Sequence, residues 1–461
     1  MKRIVVGEYG RIIPRNRKGE TPDGSEQQVF LEAGLYNRLY KMDQKQQKNG
    51  KQVFVWYADH AQAQQWVGVI QIPGLQVEIL PKIDVRNHED ERGTNSEPIY
   101  DARKNLLYML AIAGDVPIRS RDVARLTSRR APLSETLAAI FADRLLRELL
   151  RGLERNYLLR EENLRTYKGK LLLSRHIAKN AGHRERFYCS FDEFSDDTFM
   201  NRVFKAACKV LLGATRTPHT EDTLRHCLLV LEHVQDITST SYLFDRVVIN
   251  RQNERFRDVF NFCRLILSGK SPTAQAGQES SFTLLFDMNQ VFERFIAAFL
   301  KKRVLVNMQN YQLYPQARTQ RRHLMHSVRG GVLPLKPDLL LRNPSGCHLV
   351  IDTKWKRLTG AKGGRGGISN ADLYQLYAYT QRYGCQQSML LYPKVSGISE
   401  QDFHALDENG KASGQRVGVR FVQINRNLHS ESERRELANE LHDLVLEGFE
   451  GKCDEITNVT T

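Results

Sequence analysis

Leu335-Lys-Pro-Asp338-Leu-Leu-Leu341, then Asn343-Pro-Ser-Gly346, then His348-Leu-Val-Ile-Asp352-Thr-Lys354 is the stretch that decides the reading of this chain. Two apolar runs flank a turn-forming tetrad, so the segment predicts a β-hairpin. Folding about Ser345 sets position 338 opposite 352, which brings two carboxylates together across the ladder. Lys354 follows Asp352 by two residues and therefore shares its face. Neighbouring carboxylates repel each other, and a hard divalent cation, Mg²⁺ or Mn²⁺, relieves the repulsion through oxygen ligation. An ammonium beside such a cation can orient a water and offset charge that develops at a phosphate, so the constellation fits phosphodiester hydrolysis.

The surroundings agree with that chemistry. Residues 316–366 hold 11 Lys or Arg and only two acids, Asp338 and Asp352, a local net charge of +9. The whole chain of 461 residues carries 68 Lys plus Arg against 53 Asp plus Glu, a net of +15, which makes a polyanion the first partner to consider. With 41% hydrophobic residues, general disorder is excluded. No apolar run approaches the roughly 18 residues that span a bilayer, and Met1-Lys-Arg-Ile-Val-Val-Gly7 lacks a signal-length hydrophobic stretch. A cytosolic protein without a membrane partner is expected. The seven cysteines are scattered without a C-x-x-C pair, which argues for reduced thiols and against structural zinc, an iron–sulfur cluster or a disulfide framework.

Working outward, the hydrophobic period divides the chain into three blocks, the expected pattern of a multidomain α+β protein. Residues 1–97 read as a β-rich domain: Val53, Val55 and Tyr57, then Leu75, Val77 and Ile79, alternate with their neighbours. Polar tracts at Arg15–Gln28, Met42–Lys51 and Asn87–Glu97 read as turns or linker. Residues 98–281 read as a helical middle domain. Leu137, Phe141, Leu145, Leu149 and Leu153 recur after a candidate N-cap at Ser134, and Phe199, Val203, Ala206 and Val210 follow Ser195. Further helices are expected near 221–234 and 253–268. The basic run 143–186, with 12 Lys or Arg against 6 acids, reads first as a solvated face. Gly269–Ser281 has linker composition.

Residues 282–461 mix both periods and predict an α/β domain with a mixed central sheet. Helices are expected at 287–301 and 370–382. Strands are expected near 303–308, 338–342, 348–353, 388–392 and 418–423, and a last helix through Leu437, Leu441 and Leu444 with Ser430 and Glu433 as a capping box.

Several blocks carry a family likeness: Lys168-Gly-Lys-Leu, Ser190-Phe-Asp-Glu-Phe-Ser-Asp-Asp-Thr198 before Asn201-Arg202, Met288-Asn-Gln-Val-Phe-Glu-Arg-Phe295, the Pro-Asp and Asp-Thr-Lys pair, Asp372-Leu-Tyr-Gln-Leu-Tyr-Ala-Tyr379 and Leu390-Leu-Tyr-Pro393. Together they make roughly 98–450 resemble the PD-(D/E)xK nuclease superfamily, and more closely the McrC-like nuclease subunits of McrBC modification-dependent restriction systems. Gly68-Val-Ile and Glu78-Ile-Leu-Pro-Lys82 resemble the N-terminal region of longer members.

The resemblance implies a restriction-endonuclease-like C-terminal domain in which Asp338 and Asp352 bind metal and Lys354 positions water. It assigns Glu293, on the helix before the hairpin, as a further catalytic acid and metal ligand; an ordinary solvated acid near Arg294 is the competing reading. Gln375 and Tyr379 match the Q-x-x-x-Y element of RecB-like nucleases and share a helical face, so they contact DNA or brace the site. Core packing competes for Tyr379. Lys356, Lys362 and Arg365 are candidate DNA contacts. The glycine-rich Gly360–Gly367 lacks the order of a phosphate-binding nucleotide loop, so this chain is expected to bind no nucleotide itself. The resemblance supplies instead a separate ring-forming AAA-type GTPase hexamer, McrB-like, which recognises modified cytosine and moves DNA, with residues 1–97 as the docking region. A non-cleaving activator of such a GTPase and a standalone RecB-like repair nuclease are the alternatives. His323 and His326 stand in a basic segment without acids and are not expected to ligate metal.

Overall fold

The computed structural model describes residues 1–15, 28–47, 52–82, 98–117, 131–237, 244–268, 282–356, 358, 367–394 and 398–450. The expected tracts at Asn87–Glu97 and Gly269–Ser281, most of Arg15–Gln28, and Lys362 and Arg365 lie outside the described residues.

The N-terminal region builds two small mixed sheets. In the first, Lys2–Gly7 pairs parallel with Leu75–Leu80, which pairs antiparallel with Trp66–Ile72. The fourth strand, Phe282–Asp287, comes from beyond the expected 281/282 boundary and pairs antiparallel with Trp66–Ile72. Gly68 permits this close approach: its φ is +132°, and a Cβ there would strike the Leu284 carbonyl. The alternation in Leu75–Leu80 does not mark a solvated face, because all six residues are buried. Gln76 instead donates to Ser134 Oγ, and Glu78 pairs with Arg103. The second sheet runs 28–32, 11–15, 61–63, 54–56. The expected turn at Met42–Lys51 is corrected: Ala33–Gln47 is a helix. Its polar residues lack glycine or proline after Gly34, and Leu39 and Met42 bury one face, so burial of that face overrides its low hydrophobicity.

The middle region has the expected helices at Leu133–Leu150, Phe199–Ala214, Pro218–Val230 and Arg257–Ser268. Two caps are corrected. Pro132, not Ser134, precedes the first helix, and Thr198, not Ser195, caps the second by accepting from the Asn201 amide. The basic run mixes helix and strand: it begins in the helix Leu133–Leu150 and includes a short helix at Leu173–Asn180, while Asn156–Leu164 pairs along its full length with Phe187–Ser195, which also holds Lys170–Leu171. Gly169 (φ +70°) enters this sheet because a Cβ would meet the Ser190 carbonyl at 2.5 Å. One apolar cluster runs without interruption from these helices to a face of the C-terminal sheet, through Phe292, Phe295, Leu339 and Ile351.

The C-terminal region is a six-stranded mixed sheet in the order 312–315, 339–342, 348–353, 387–393, 412–422, 401–406. Helices Met288–Phe299 and Glu431–Glu450 lie on one face and Asn370–Tyr383 on the other. The strand expected near 303–308 is absent: the helix continues as a π turn over Leu300–Val304 and a 3₁₀ turn over Leu305–Asn307. Its Val304-Leu-Val306 imitates a strand pattern, yet Val304 is buried by helical packing and Val306 is exposed. Ser430 Oγ pairs with Ser432 Oγ at 2.6 Å in place of the capping-box geometry. An additional hairpin, Arg322–Ser327 with Gly330–Leu335, stands just before the stretch that carries Asp338 and Asp352. Five described cysteines, Cys189, Cys208, Cys227, Cys263 and Cys385, are free and buried.

Candidate active site

The hairpin register is the one that folding about Ser345 predicts: Leu339 faces Ile351 and Arg342 faces His348. Side chains alternate between two covered faces. Leu339, Leu341, Leu349 and Ile351 enter the large cluster, whereas Leu340 and Val350 pack with Leu376 and Tyr379. Asp338 and Asp352 continue the second set, so both carboxylates end up at the edge of an apolar layer beside the helix Asn370–Tyr383.

Each acid is held differently. Asp338 Oδ2 accepts from the Thr353 amide at 2.8 Å and from Thr353 Oγ1 at 2.7 Å, which leaves Oδ1 as a donor atom. Asp352 is only 2% exposed, and its Oδ2 meets Lys354 Nζ at 2.8 Å. Burial, then the nearby Glu293 charge, pushes the Asp338 carboxyl up to about 6. Burial, then repulsion from Asp338, pushes Asp352 up to about 6 as well. Burial pulls the Lys354 ammonium down, but Asp352, Asp372 and Asp338 outweigh it and the net shift is upward. Lys354 is thus a fixed cation between carboxylates that resist ionising together.

The remaining expected residues fall into two groups. Gln375 donates to Tyr379 Oη at 2.8 Å. Tyr379 is buried, and the carboxylates of Asp352 and Asp338, with burial first, raise its phenol. The pair thus stands on the helix beside the two carboxylates. Lys356 lies beside it, with Nζ 3.7 Å from Asp372. Glu293 stands further off. It accepts from Gln316 Nε2 at 2.9 Å and acts on Asp338 through charge. Among the described residues no group of three or more His, Cys, Asp or Glu is close enough to hold a metal ion. The all-oxygen donor pair Asp338 and Asp352 suits a hard divalent cation, with Glu293 outside its immediate reach in this conformation.

Four residues that bear on the site were missed by sequence reasoning. Thr353 supplies both hydrogen bonds to Asp338. Asp372, in the first turn of its helix, meets Lys354 at 3.5 Å and is the third acid of the site. Its place in the blocks that carry the family likeness was the only signal. Glu8 and Trp355 form the last pair: Trp355 Nε1 donates to both Glu8 oxygens, at 3.1 and 2.9 Å. Trp355 follows Lys354 and packs at 5.2 Å on Phe292, the neighbour of Glu293. With 347 positions between the partners, no local pattern could announce the contact.

The family description McrBC 5-methylcytosine restriction system component matches residues 61–393, well over half of the chain. This chain belongs to that family. The match takes in the site, the helix Asn370–Tyr383 and the strand Gln387–Pro393. No curated protein matches the chain. Among solved structures, the refined half-complex from the tetradecameric assembly of Thermococcus gammatolerans McrB AAA+ hexamers with bound McrC is similar at a TM-score of 0.65 and 21% identity, covering 96% of this chain and 100% of that one. The cryo-EM structure of the Thermococcus gammatolerans McrBC complex is similar at 0.48 and 24% identity, over 66% of this chain and 88% of that one. The first likeness is one of fold, and it extends to the N-terminal sheets of this McrBC family member.

Proposed function

We propose that this McrBC family member is the McrC-like, DNA-cutting subunit of a modification-dependent restriction complex, a Mg²⁺-dependent endonuclease of PD-(D/E)xK type that also stimulates a ring-forming GTPase. The observation that carries the reading is the half-buried Asp338 and the buried Asp352, each one residue beyond the Leu339–Ile351 pair of one ladder, with Lys354 on Asp352 at 2.8 Å. Two carboxyls raised to about 6 at the edge of an apolar layer are costly unless a cation uses them. Bound there, Mg²⁺ or Mn²⁺ would polarise a phosphate oxygen and lower the pKa of a bound water. Asp338 and Asp352 would hold it, Thr353 keeps Asp338 oriented, and Lys354 directs a water or offsets phosphate charge. Glu293 reaches the site once Gln316 releases it. No helix among the described residues is long and apolar enough to cross a membrane.

The solved half-complex has McrC bound to McrB AAA+ hexamers, and a hexameric GTPase ring is the partner proposed here, with DNA as substrate. Residues 1–97 are one docking surface. The sheet at 156–195 is a second, because Tyr157, Leu159 and Phe194 are 68%, 69% and 55% exposed on adjoining strands. Purification of the full chain with and without a ring-forming GTPase tests the reading. Cleavage of modified DNA only with the partner supports it. GTPase stimulation without any cleavage would establish the pure activator, and cleavage without a partner the standalone nuclease.

A further inference from the structure

Between Glu293 and Asp338 the chain has no acid, while residues 294–337 contain nine Lys or Arg. Two of the nine are neutralised within the fold: Arg294 meets Asp115 at 2.9 Å and Arg303 meets Glu431 at 2.6 Å. Arg318, Arg321, Arg322, Arg329 and Lys336 form no ion pair among the described residues. These five lie on or beside the hairpin Arg322–Ser327 and Gly330–Leu335, whose second strand leads within three residues to Asp338.

The base of this hairpin is anchored and its far end is free. Arg382 Nε donates to the His323 carbonyl at 2.8 Å, the Arg322 guanidinium lies over the Tyr383 ring at 5.2 Å, and Tyr383 Oη donates to the Gln320 carbonyl at 3.1 Å. All three contacts come from the last turn of the helix that carries Gln375 and Tyr379. At the tip Val328 is fully exposed, beside Arg329. Behind it the cross-strand pair Met325 and Val332 presents 59% and 39% of its surface, and Leu333, 57% exposed, sits at φ +55°. A leucine at positive φ is a backbone outlier of the kind that persists where function over-determines it. An exposed apolar ribbon is otherwise an aggregation hazard, but here unpaired cations surround it.

We propose that the hairpin 322–335 is a DNA wedge, with Arg321, Arg329 and Lys336 on phosphates and Val328 entering a groove at a base step. A groove of duplex DNA admits a two-stranded ribbon, and apolar side chains on such elements unstack and kink base steps. The anchor to the helix makes the consequence specific: a duplex held by the ribbon has its backbone delivered toward Asp338. This rests on the nuclease reading for its purpose but not for its test.

The test uses the full-length chain in Ca²⁺, with a duplex that carries 2-aminopurine. Wild type should raise the fluorescence on binding, as an unstacked base does. Val328→Ser should remove most of that rise while affinity changes less than about threefold, because phosphate contacts dominate binding. Arg321→Ala with Arg329→Ala should weaken binding about tenfold or more at 0.1 M salt and lower the salt slope by about 2. All three side chains are exposed, and an unchanged melting temperature establishes that the variants fold. Wild-type fluorescence and salt slope in these variants would overturn the wedge. So would loss of GTPase stimulation with DNA binding intact, which would assign the ribbon to the protein partner. A chain that binds and unstacks DNA but never cuts it would leave the wedge standing and defeat the nuclease reading alone.

Discussion

Two hairpins follow one another in this chain, 322–335 and 339–353, and they use the same strand chemistry to opposite ends. In the second, both faces are covered, one by Met288–Phe299 and Glu431–Glu450 and the other by Asn370–Tyr383, so nearly every strand residue is buried. In the first, five of the six residues of Gly330–Leu335 are outside the core. Covering both faces turns two aspartates into carboxyls that resist ionisation. Leaving the far end of the first hairpin open keeps arginines hydrated and available. On the proposed reading the pair separates two tasks: a dry place for chemistry and a wet, cationic one for the polymer.

The contrast breaks most visibly at the dry hairpin. Asp338→Ala, Asp352→Ala and Lys354→Ala should each lower DNA cleavage by about 10³-fold or more, as loss of a group that acts on the developing charge does, while GTPase stimulation persists. Cleavage and GTP turnover measured on the same preparations check this, and retained cleavage by Asp352→Ala would remove the site.

A smaller loss is expected where the dry hairpin is tied to the N-terminal sheet. Glu8→Ala or Trp355→Phe removes the link behind Lys354 without touching a reacting atom, and a displacement of about 1 Å there can cost on the order of 10²-fold in rate. The double variant should cleave no more slowly than the worse single one, because both changes delete one contact. Effects that multiply would show that the two residues act separately.

Neutralising Lys362 and Arg365, beyond the dry hairpin, should weaken DNA binding uniformly across sequences and lower the salt slope by about 2 if both contact phosphates. A loss limited to one sequence context would contradict a backbone role.

The smallest effect concerns stability. Asp338 and Asp352 have carboxyls at about 6 against an ordinary 3.8, so the folded, metal-free chain binds protons more tightly than the unfolded one. Their favourable contribution is therefore complete below about pH 4 and is lost as pH rises through 6. Asp338→Asn should be more stable than wild type at pH 7 by about 1–2 kcal/mol, and the gap should close near pH 4. Thermal melts at the two pH values measure it, and an equal gap at both would exclude the repulsion. Val328→Ser, by contrast, should shift stability by less than about 0.5 kcal/mol.

Much of the site was legible from local pattern. The turn at Asn343–Gly346 sets a hairpin register, and register sets which acid faces which. The order of motifs pointed to the helix with Gln375 and Tyr379. Legibility failed wherever burial overrode composition. Met42–Lys51 looks like a polar turn until the apolar stripe of Ala33–Gln47 meets a sheet, and 303–308 looks like a strand until the preceding helix is seen to continue. The strand Asn156–Leu164, within the basic run, pairs with Phe187–Ser195 at separations above 20 residues, beyond the reach of a periodicity window.

By itself, then, the sequence determined the hairpin that carries Asp338 and Asp352, its register, the acid depletion around it and the family to which the chain belongs, because each depends on neighbours within about twenty positions or on motif order. The tertiary structure alone decided that Phe282–Asp287 returns to the first sheet, that Asp372 rather than Glu293 stands next to Lys354, and that Glu8 grips Trp355. Those contacts are chosen by which apolar faces find each other when the chain collapses, and a buried carboxylate accepts whichever donor that packing delivers.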